Sequence, residues 1–216
     1  MSFPKMASEK SDDIVIFLTN NDNSLKLFNW LSDKVDTILY KDKITLEYLE
    51  SIHPKLIISY NYSHIVPAEV IDFMDGNIIN LHISYLPWNK GASPNFWSFV
   101  DDTPKGVTIH KMSYGLDEGE IIYQEKMEFD INKETFTSTY NKLHDRITEL
   151  FIENWEDIRE GHYNTYKQYG KGTKHTSKEL KAITEKLDFD WGMKICDFLE
   201  EYDSMYVRST NNRKFE

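Results

Sequence analysis

The sequence predicts an α/β fold built on a doubly wound, mostly parallel sheet. Two observations carry the prediction. Apolar runs at 14–18 and 56–59 are continuous, as in strands buried on both faces. Stretches with helical spacing separate such runs, and strands alternating with helices imply parallel crossover connections. Composition agrees: 40% apolar and 14% aromatic residues in a chain of 216 suit a folded globule with one sizeable core.

The elements follow in order. The strand at 14–18 is broken by the polar run Thr19-Asn20-Asn21-Asp22-Asn23. Leu25, Phe28 and Leu31 then recur at helical spacing within 24–31. Residues 35–40 read as a second strand, 45–52 as a short helix and 56–59 as a third strand. Pro67 suits a helix start, with Val70, Ile71 and Met74 on one side. Residues 77–80 make a fourth strand. Ligands in such sheets bind at the carboxyl ends of strands, where Asn80 and His82 fall. Residues 106–112 and 121–129 read as two further strands. Phe136, Tyr140, Leu143, Ile147, Leu150, Phe151 and Ile158 trace one long amphipathic helix, which Gly161 stops. Thr176 and Glu179 have capping-box spacing ahead of Leu180, Ile183 and Leu187, and 192–202 reads as a last helix. The expected organisation is a loose tail at 1–13, a catalytic domain at 14–161 and a small C-terminal extension at 162–216.

The net charge of −11 argues against broad binding to nucleic acid or to an anionic membrane, while leaving room for a local basic pocket. The single cysteine, Cys196, excludes an intramolecular disulfide, fits a reducing compartment and reads as a buried structural residue. Residues 1–13 have no apolar core, so they are no signal peptide, and no run approaches the roughly 20 apolar residues of a membrane span. A cytoplasmic protein is expected.

Asn80 and His82 stand two apart, so in an extended segment both leave one face. An amide donor beside an imidazole can hold a carbonyl oxygen and stabilise the oxyanion it becomes. Asp117, in the turn Gly115-Leu116-Asp117-Glu118-Gly119, can orient and charge that imidazole. This is a constellation for acyl transfer, in which His82 serves either as an imidazolium or as a proton shuttle. Thr108 and His110 alternate with Val107 and Ile109 and share a strand face. The types of His82, His110 and Asp117 would permit a metal triad, but nothing in their spacing asks for one, and no metal is expected. Gly-x-Ser-x-Gly is absent, so Ser84 reads as loop support and not as a nucleophile. Trp88, Asn89 and Lys90 precede a glycine turn, a setting that suits a sugar ring or a phosphate. The basic segment 170–175 either touches a nucleotide or acts as a hinge.

The run Asn80-x-His82-x-Ser84-x-Leu86-Pro87, then Gly106-x-Thr108-x-His110, then Asp117-x-Gly119, resembles the signature of the folate-dependent formyltransferases. With Trp88-Asn89-Lys90-Gly91 and Pro94-Asn95-Phe96-Trp97 included, 80–122 looks most like the branch that formylates amino sugars on nucleotide carriers. The resemblance implies a Rossmann-like fold and an enzyme that moves a formyl group from N10-formyltetrahydrofolate. The acceptor it implies is the amine of a nucleotide-linked sugar such as a 4-amino-4,6-dideoxyhexose. It further implies that Asn80 grips the formyl oxygen, that Asp117 partners His82, and that Thr108 helps hold a water near the carboxylate. No metal takes part in that family. Tyr62, Ser63, His64 and Ile65 match the segment that cradles the pterin through backbone groups, and Gly115 and Leu116, with Asp117, close that pocket. Trp88, Asn89 and Lys90 would meet the sugar nucleotide, Lys90 standing where the family often has arginine. A homodimer is implied as well.

The run at 19–23 lacks the glycines of purine-pathway relatives, which weakens the case for a ribosyl phosphate acceptor. Two rivals remain. Formylation of methionyl-tRNA is disfavoured by the acidic balance and by the short region beyond the long helix. A non-catalytic binder of folate or of a nucleotide sugar is disfavoured by the relay residues, which a binder does not need.

Overall fold

The computed structural model describes residues 11–211, with side chains for 13–205. The described residues form two compact units, the first ending at Leu81 and the second starting at His82.

The first unit contains β1 (Ser11–Leu18), α1 (Leu25–Ser32), β2 (Val35–Tyr40), α2 (Leu46–Ile52), β3 (Leu56–Tyr60) and α3 (Ala68–Met74). Its last element, β4 (Ile78–His82), runs one residue into the second unit. β1 pairs in parallel with β2 and β3, and β3 with β4, in a register that sets Ser59 opposite Asn80. All five residues of β3 are buried, as its continuous apolar run requires. Leu27 and Leu31 are the buried face of α1, and the Thr45 hydroxyl caps α2 by accepting from the Tyr48 amide.

The expected tail needs correction where it can be seen. Residues 1–10 lie outside the described residues, but Ser11–Asp13 belong to β1. Ser11 pairs with Val35, and the Asp13 carboxylate meets Lys55 Nζ at 2.8 Å. Pairing of the backbone continues past the end of the apolar run.

The second unit continues with β5 (Lys90–Gly91), α4 (Pro94–Val100), β6 (Lys105–Lys111), β7 (Ile121–Met127), α5 (Phe136–Glu153) and α6 (Trp155–Glu160). It then adds β8 (Lys174–His175), α7 (Ser177–Thr184) and α8 (Ile195–Asn211). β6 and β7 are antiparallel, and the short β5 pairs in parallel with β8. The six longer strands give the mixed, mostly parallel α/β sheet that the sequence predicts, with flanking helices. The single helix expected at 136–158 is instead two. Asn154 leaves helical geometry at φ −111° and turns its side-chain amide back to the Leu150 carbonyl at 2.7 Å. Thr176 and Glu179 form the expected capping box, and Thr135 with Ser138 forms another.

Phe96, Phe136 and Phe198 are fully buried, and each ring centroid lies 5.3 Å from the other two. Ile183, Leu187 and Ile195 complete that cluster, so α4 and α5 share a core with the C-terminal helices. Among the described residues no helix is long and apolar enough to cross a membrane.

On α5, His144 is buried beside Tyr140, with ring centroids 4.2 Å apart. Burial pulls its pKa down to about 4, against a smaller opposing effect of Asp145. The unfolded chain therefore binds a proton there between about pH 4 and about pH 6.5 that the folded chain does not. Stability at this site is complete above that window and falls as pH drops through it. His144→Leu should flatten this part of the curve of urea midpoint against pH. Parallel curves for the two proteins would contradict the assignment.

Candidate active site

The site grows from three segments of the second unit: the end of β4, the loop that leads into β5, and the end of β6 with the turn after it. His82 is the last residue of β4 and is 8% exposed. Asn80, two residues earlier, is the one residue of β4 that is not fully buried. Strand alternation puts both side chains on one face, with Leu81 on the other.

Asp117 is the centre of charge. Its Oδ1 lies 3.5 Å from His110 Nε2, and its Oδ2 lies 3.8 Å from His82 Nε2. Oδ2 also accepts from the Gly91 amide at 2.8 Å. Burial alone would raise the carboxyl pKa. The His82 charge, the hydrogen bond and charge of His110, and the Gly91 N–H together outweigh burial and hold it well below the usual carboxylate range. Asp117 is thus an anion, oriented on both oxygens.

The hydrogen bonds also assign the imidazole protons. A carbonyl oxygen can only accept. His82 Nε2, 3.1 Å from the Asn89 carbonyl, therefore carries a proton, and so does His110 Nδ1, 2.8 Å from the Lys111 carbonyl. This leaves Nδ1 of His82 and Nε2 of His110 as the nitrogens whose protonation can change. The two rings meet edge to face, with centroids 6.4 Å apart.

The turn that delivers Asp117 needs its glycine. A Cβ on Gly119 would fall 1.6 Å from the Lys111 carbonyl oxygen, a backbone atom that cannot yield. Asp117 itself sits at φ 52°, the left-handed region that an Asp tolerates better than most side chains. Gln168 ties the turn down, donating to the carbonyls of Asp117 and Gly119 at 2.8 and 2.9 Å.

Two of the expected site side chains are engaged within the protein. The Thr108 hydroxyl has no capacity left to hold a water. It donates to the Ser84 carbonyl at 2.7 Å and accepts from the Leu86 amide and from Gln124 Nε2. Its function is to pin the loop after β4, and Ser84 enters that arrangement through its carbonyl. Asn89 is 0% exposed, and its side chain is turned into the protein. Its amide donates to Thr103 Oγ1 at 2.7 Å and its carbonyl oxygen accepts from Thr173 Oγ1 at 3.0 Å. Trp88 is half-buried beside it. The Lys90 ammonium lies 3.9 Å from Glu118 Oε1.

The segment matched to pterin recognition lies in the first unit. The Tyr62 hydroxyl donates to the Asp42 carbonyl and accepts from the Ile44 amide, and Ser63 donates twice to Asn20 Oδ1. These side chains therefore fix the loop. His64 packs against the Tyr62 ring, and Ile65 is 85% exposed. In the second unit Gly115 and Leu116 lead into Asp117, and the Leu116 side chain is half exposed.

Sequence reasoning missed Gln168 and Thr173. The one available signal was the glycine-flanked polar stretch at 170–175. Among the described residues no cluster of three or more His, Cys, Asp or Glu side chains could hold a metal ion.

Residues 8–154 match the family model described as formyl transferase. The formyltransferase PseJ from Anoxybacillus kamchatkensis has been solved in complex with UDP-4,6-dideoxy-4-formamido-L-AltNAc and tetrahydrofolate. It is 35% identical to this chain, with a TM-score of 0.75 over 85% of this chain and 95% of PseJ. Methionyl-tRNA formyltransferase from Fusobacterium nucleatum is 34% identical over 130 residues, which cover 60% of this chain and 42% of that protein. The dTDP-4-amino-4,6-dideoxyglucose formyltransferase of Mycobacterium tuberculosis is 30% identical over 135 residues, covering 62% and 56%. The match thus spans about half the length of these two curated relatives. With its family match running over more than half its length and through Asn80, His82, His110 and Asp117, the chain belongs to the formyl transferase family.

Proposed function

We propose that this chain is an N-formyltransferase that moves the formyl group of N10-formyltetrahydrofolate to the primary amine of a nucleotide-linked amino-deoxy sugar. The observation that carries the reading is the buried Asp117 anion shared by His82 and His110. Support for the acceptor comes from PseJ, the relative matched over 95% of its own length and solved with a formamido sugar nucleotide. The methionyl-tRNA formyltransferase of Fusobacterium nucleatum is matched over 42% of its own length.

The folate, when bound, supplies the formyl carbon. Leu116, on the turn that leads into Asp117, exposes an apolar side chain, chemistry that suits a flat heterocycle. The acceptor amine attacks the formyl carbon, a new N–C bond forms, and the bond from that carbon to N10 breaks. Asn80 offers an amide N–H to the oxygen whose charge rises in the transition state, and His82 offers Nδ1–H when protonated. The Asn89 carbonyl holds the His82 proton on Nε2, and the Asp117 carboxylate faces the same nitrogen from 3.8 Å. Starting neutral, His82 takes the proton of the attacking amine on Nδ1, and that same Nδ1–H then passes to the departing nitrogen as its bond to carbon breaks. Trp88 and Lys90 are the side chains here that would meet the sugar nucleotide. Holding both reactants together supplies much of the rate.

The test is incubation with the formyl donor and a panel of nucleotide amino sugars, read by mass. One added formyl group on a sugar amine is expected. Formylation of methionyl-tRNA with no sugar accepted across the panel would overturn the acceptor. His82→Ala and Asp117→Asn should each lower kcat by at least about a hundredfold in folded protein, the typical cost of losing an oxyanion donor or proton-transfer group. Their effects should not add, since both disable one relay. A near-normal rate in either variant would put the chemistry on other residues. Activity should survive EDTA, and loss restored by a divalent ion would replace the relay with metal catalysis.

A further inference from the structure

We propose that Thr173 is a positioning residue for this site: its one hydroxyl fixes Asn89, and through Asn89 the proton and orientation of His82. The kinetic consequence rests on the formyl-transfer reading, whereas the geometric one stands without it.

Thr173 lies 84 positions beyond Asn89. Its Oγ1 accepts from the Asn89 amide at 2.8 Å and donates to Asn89 Oδ1 at 3.0 Å. A hydroxyl has one donor and two acceptor sites, so one group closes both bonds. Asn89 sits at φ 57°, where most side chains are disfavoured, and Thr103 holds the other end of its amide. Asn89 is thus held by three hydrogen bonds from two residues, and its carbonyl points to His82 Nε2 at 3.1 Å. That carbonyl keeps the proton on Nε2, so the nitrogen left for the reaction is Nδ1. Without the clamp the imidazole loses its strongest reason to choose between tautomers.

The strap reaches the second arm of the site as well. The Lys90 amide donates to the Thr173 carbonyl at 2.9 Å, and the Ala92 amide to the His175 carbonyl at 3.0 Å. Between them Gly91 donates to Asp117 Oδ2. The fit is close enough to require glycine twice. A Cβ on Gly91 would lie 2.4 Å from the His175 carbonyl oxygen, and one on Gly172 would lie 2.0 Å from that of Pro87. Pairing of two residues on two is too short to hold by itself. His175 pins it by stacking on Trp97 at 3.9 Å and 6°, with Nε2 donating to Asp101 Oδ2 at 2.7 Å.

Thr173→Val keeps the shape of the side chain and removes the hydroxyl. In the ligand-free protein the ¹⁵N imidazole shifts of His82 should move from the Nε2-protonated form toward a tautomeric mixture. With both substrates present kcat should fall roughly tenfold to a hundredfold while KM for the acceptor changes little, as expected of a small misplacement of a catalytic group. Thr173→Ser should restore both readouts, which a purely structural role for the methyl would not allow. His82 shifts in Thr173→Val equal to those of the parent protein would overturn the proposal. If Thr173→Val does not fold, His175→Gln, which releases the pin from outside, must move the same signal, and an unmoved signal would overturn it equally. The expected shift in a protein whose parent formylates no amine would refute the reading of the reaction and leave the positioning intact.

Discussion

The structure around the candidate site is organised by the cost of burying one carboxylate. A buried anion without partners costs several kcal/mol, and Asp117 is more than nine-tenths buried. It is stable there because two imidazoles and a backbone N–H face its two oxygens. Each partner then imposes a demand of its own. His110 must turn its other nitrogen to the Lys111 carbonyl, which brings that carbonyl against Gly119 and excludes any side chain there. Gly91 must bring its amide close to the carboxylate, which sets it at φ +85° against the His175 carbonyl. The glycines of the site are thus consequences of the charge.

The same constraint explains why the C-terminal region is more than an appendage. Phe96 and Phe136 belong to α4 and α5, and they share their cluster with Ile183, Leu187, Ile195 and Phe198 of the last two helices and their connection. Fully burying a phenylalanine contributes about 1.5–3 kcal/mol, so this core anchors the chain on both sides of residues 170–175. The strap between them inherits that anchorage. It delivers Thr173 to Asn89 with little further loss of freedom, because its ends are already held.

Much of the fold was legible because its signals are local and periodic. The buried strands β1 and β3 appear as unbroken apolar runs, and the capping box at Thr176 as two residues at a fixed spacing. The start of β1 was not legible, because pairing at Ser11 depends on a partner strand and not on hydrophobicity. The break at Asn154 was hidden by a stripe of apolar residues that continues across it. At the site, alternation put Asn80 with His82 and Thr108 with His110, but it could not show that His110 and His82 face the same carboxylate. The partners of the Thr108 hydroxyl were hidden for a related reason. A hydroxyl's spare capacity depends on every neighbour, and here Gln124 and two backbone groups use all of it. Gln168 and Thr173 act through a few hydrogen bonds to segments far away in sequence, which leave neither period nor motif.

His82 and His110 hold the same anion yet are held in opposite senses. His110 is bonded through Nδ1 to the Lys111 carbonyl and turns Nε2 to Asp117. His82 is bonded through Nε2, which faces both the Asn89 carbonyl and Asp117. Its Nδ1 is therefore the position where a proton can come and go without breaking either contact. A relay needs this asymmetry. With two imidazoles and a backbone N–H facing the carboxylate, a change at His82 Nδ1 does not leave the buried anion without partners. The second histidine thus frees the first to act, which is a reason for a formyl-transfer site to carry two.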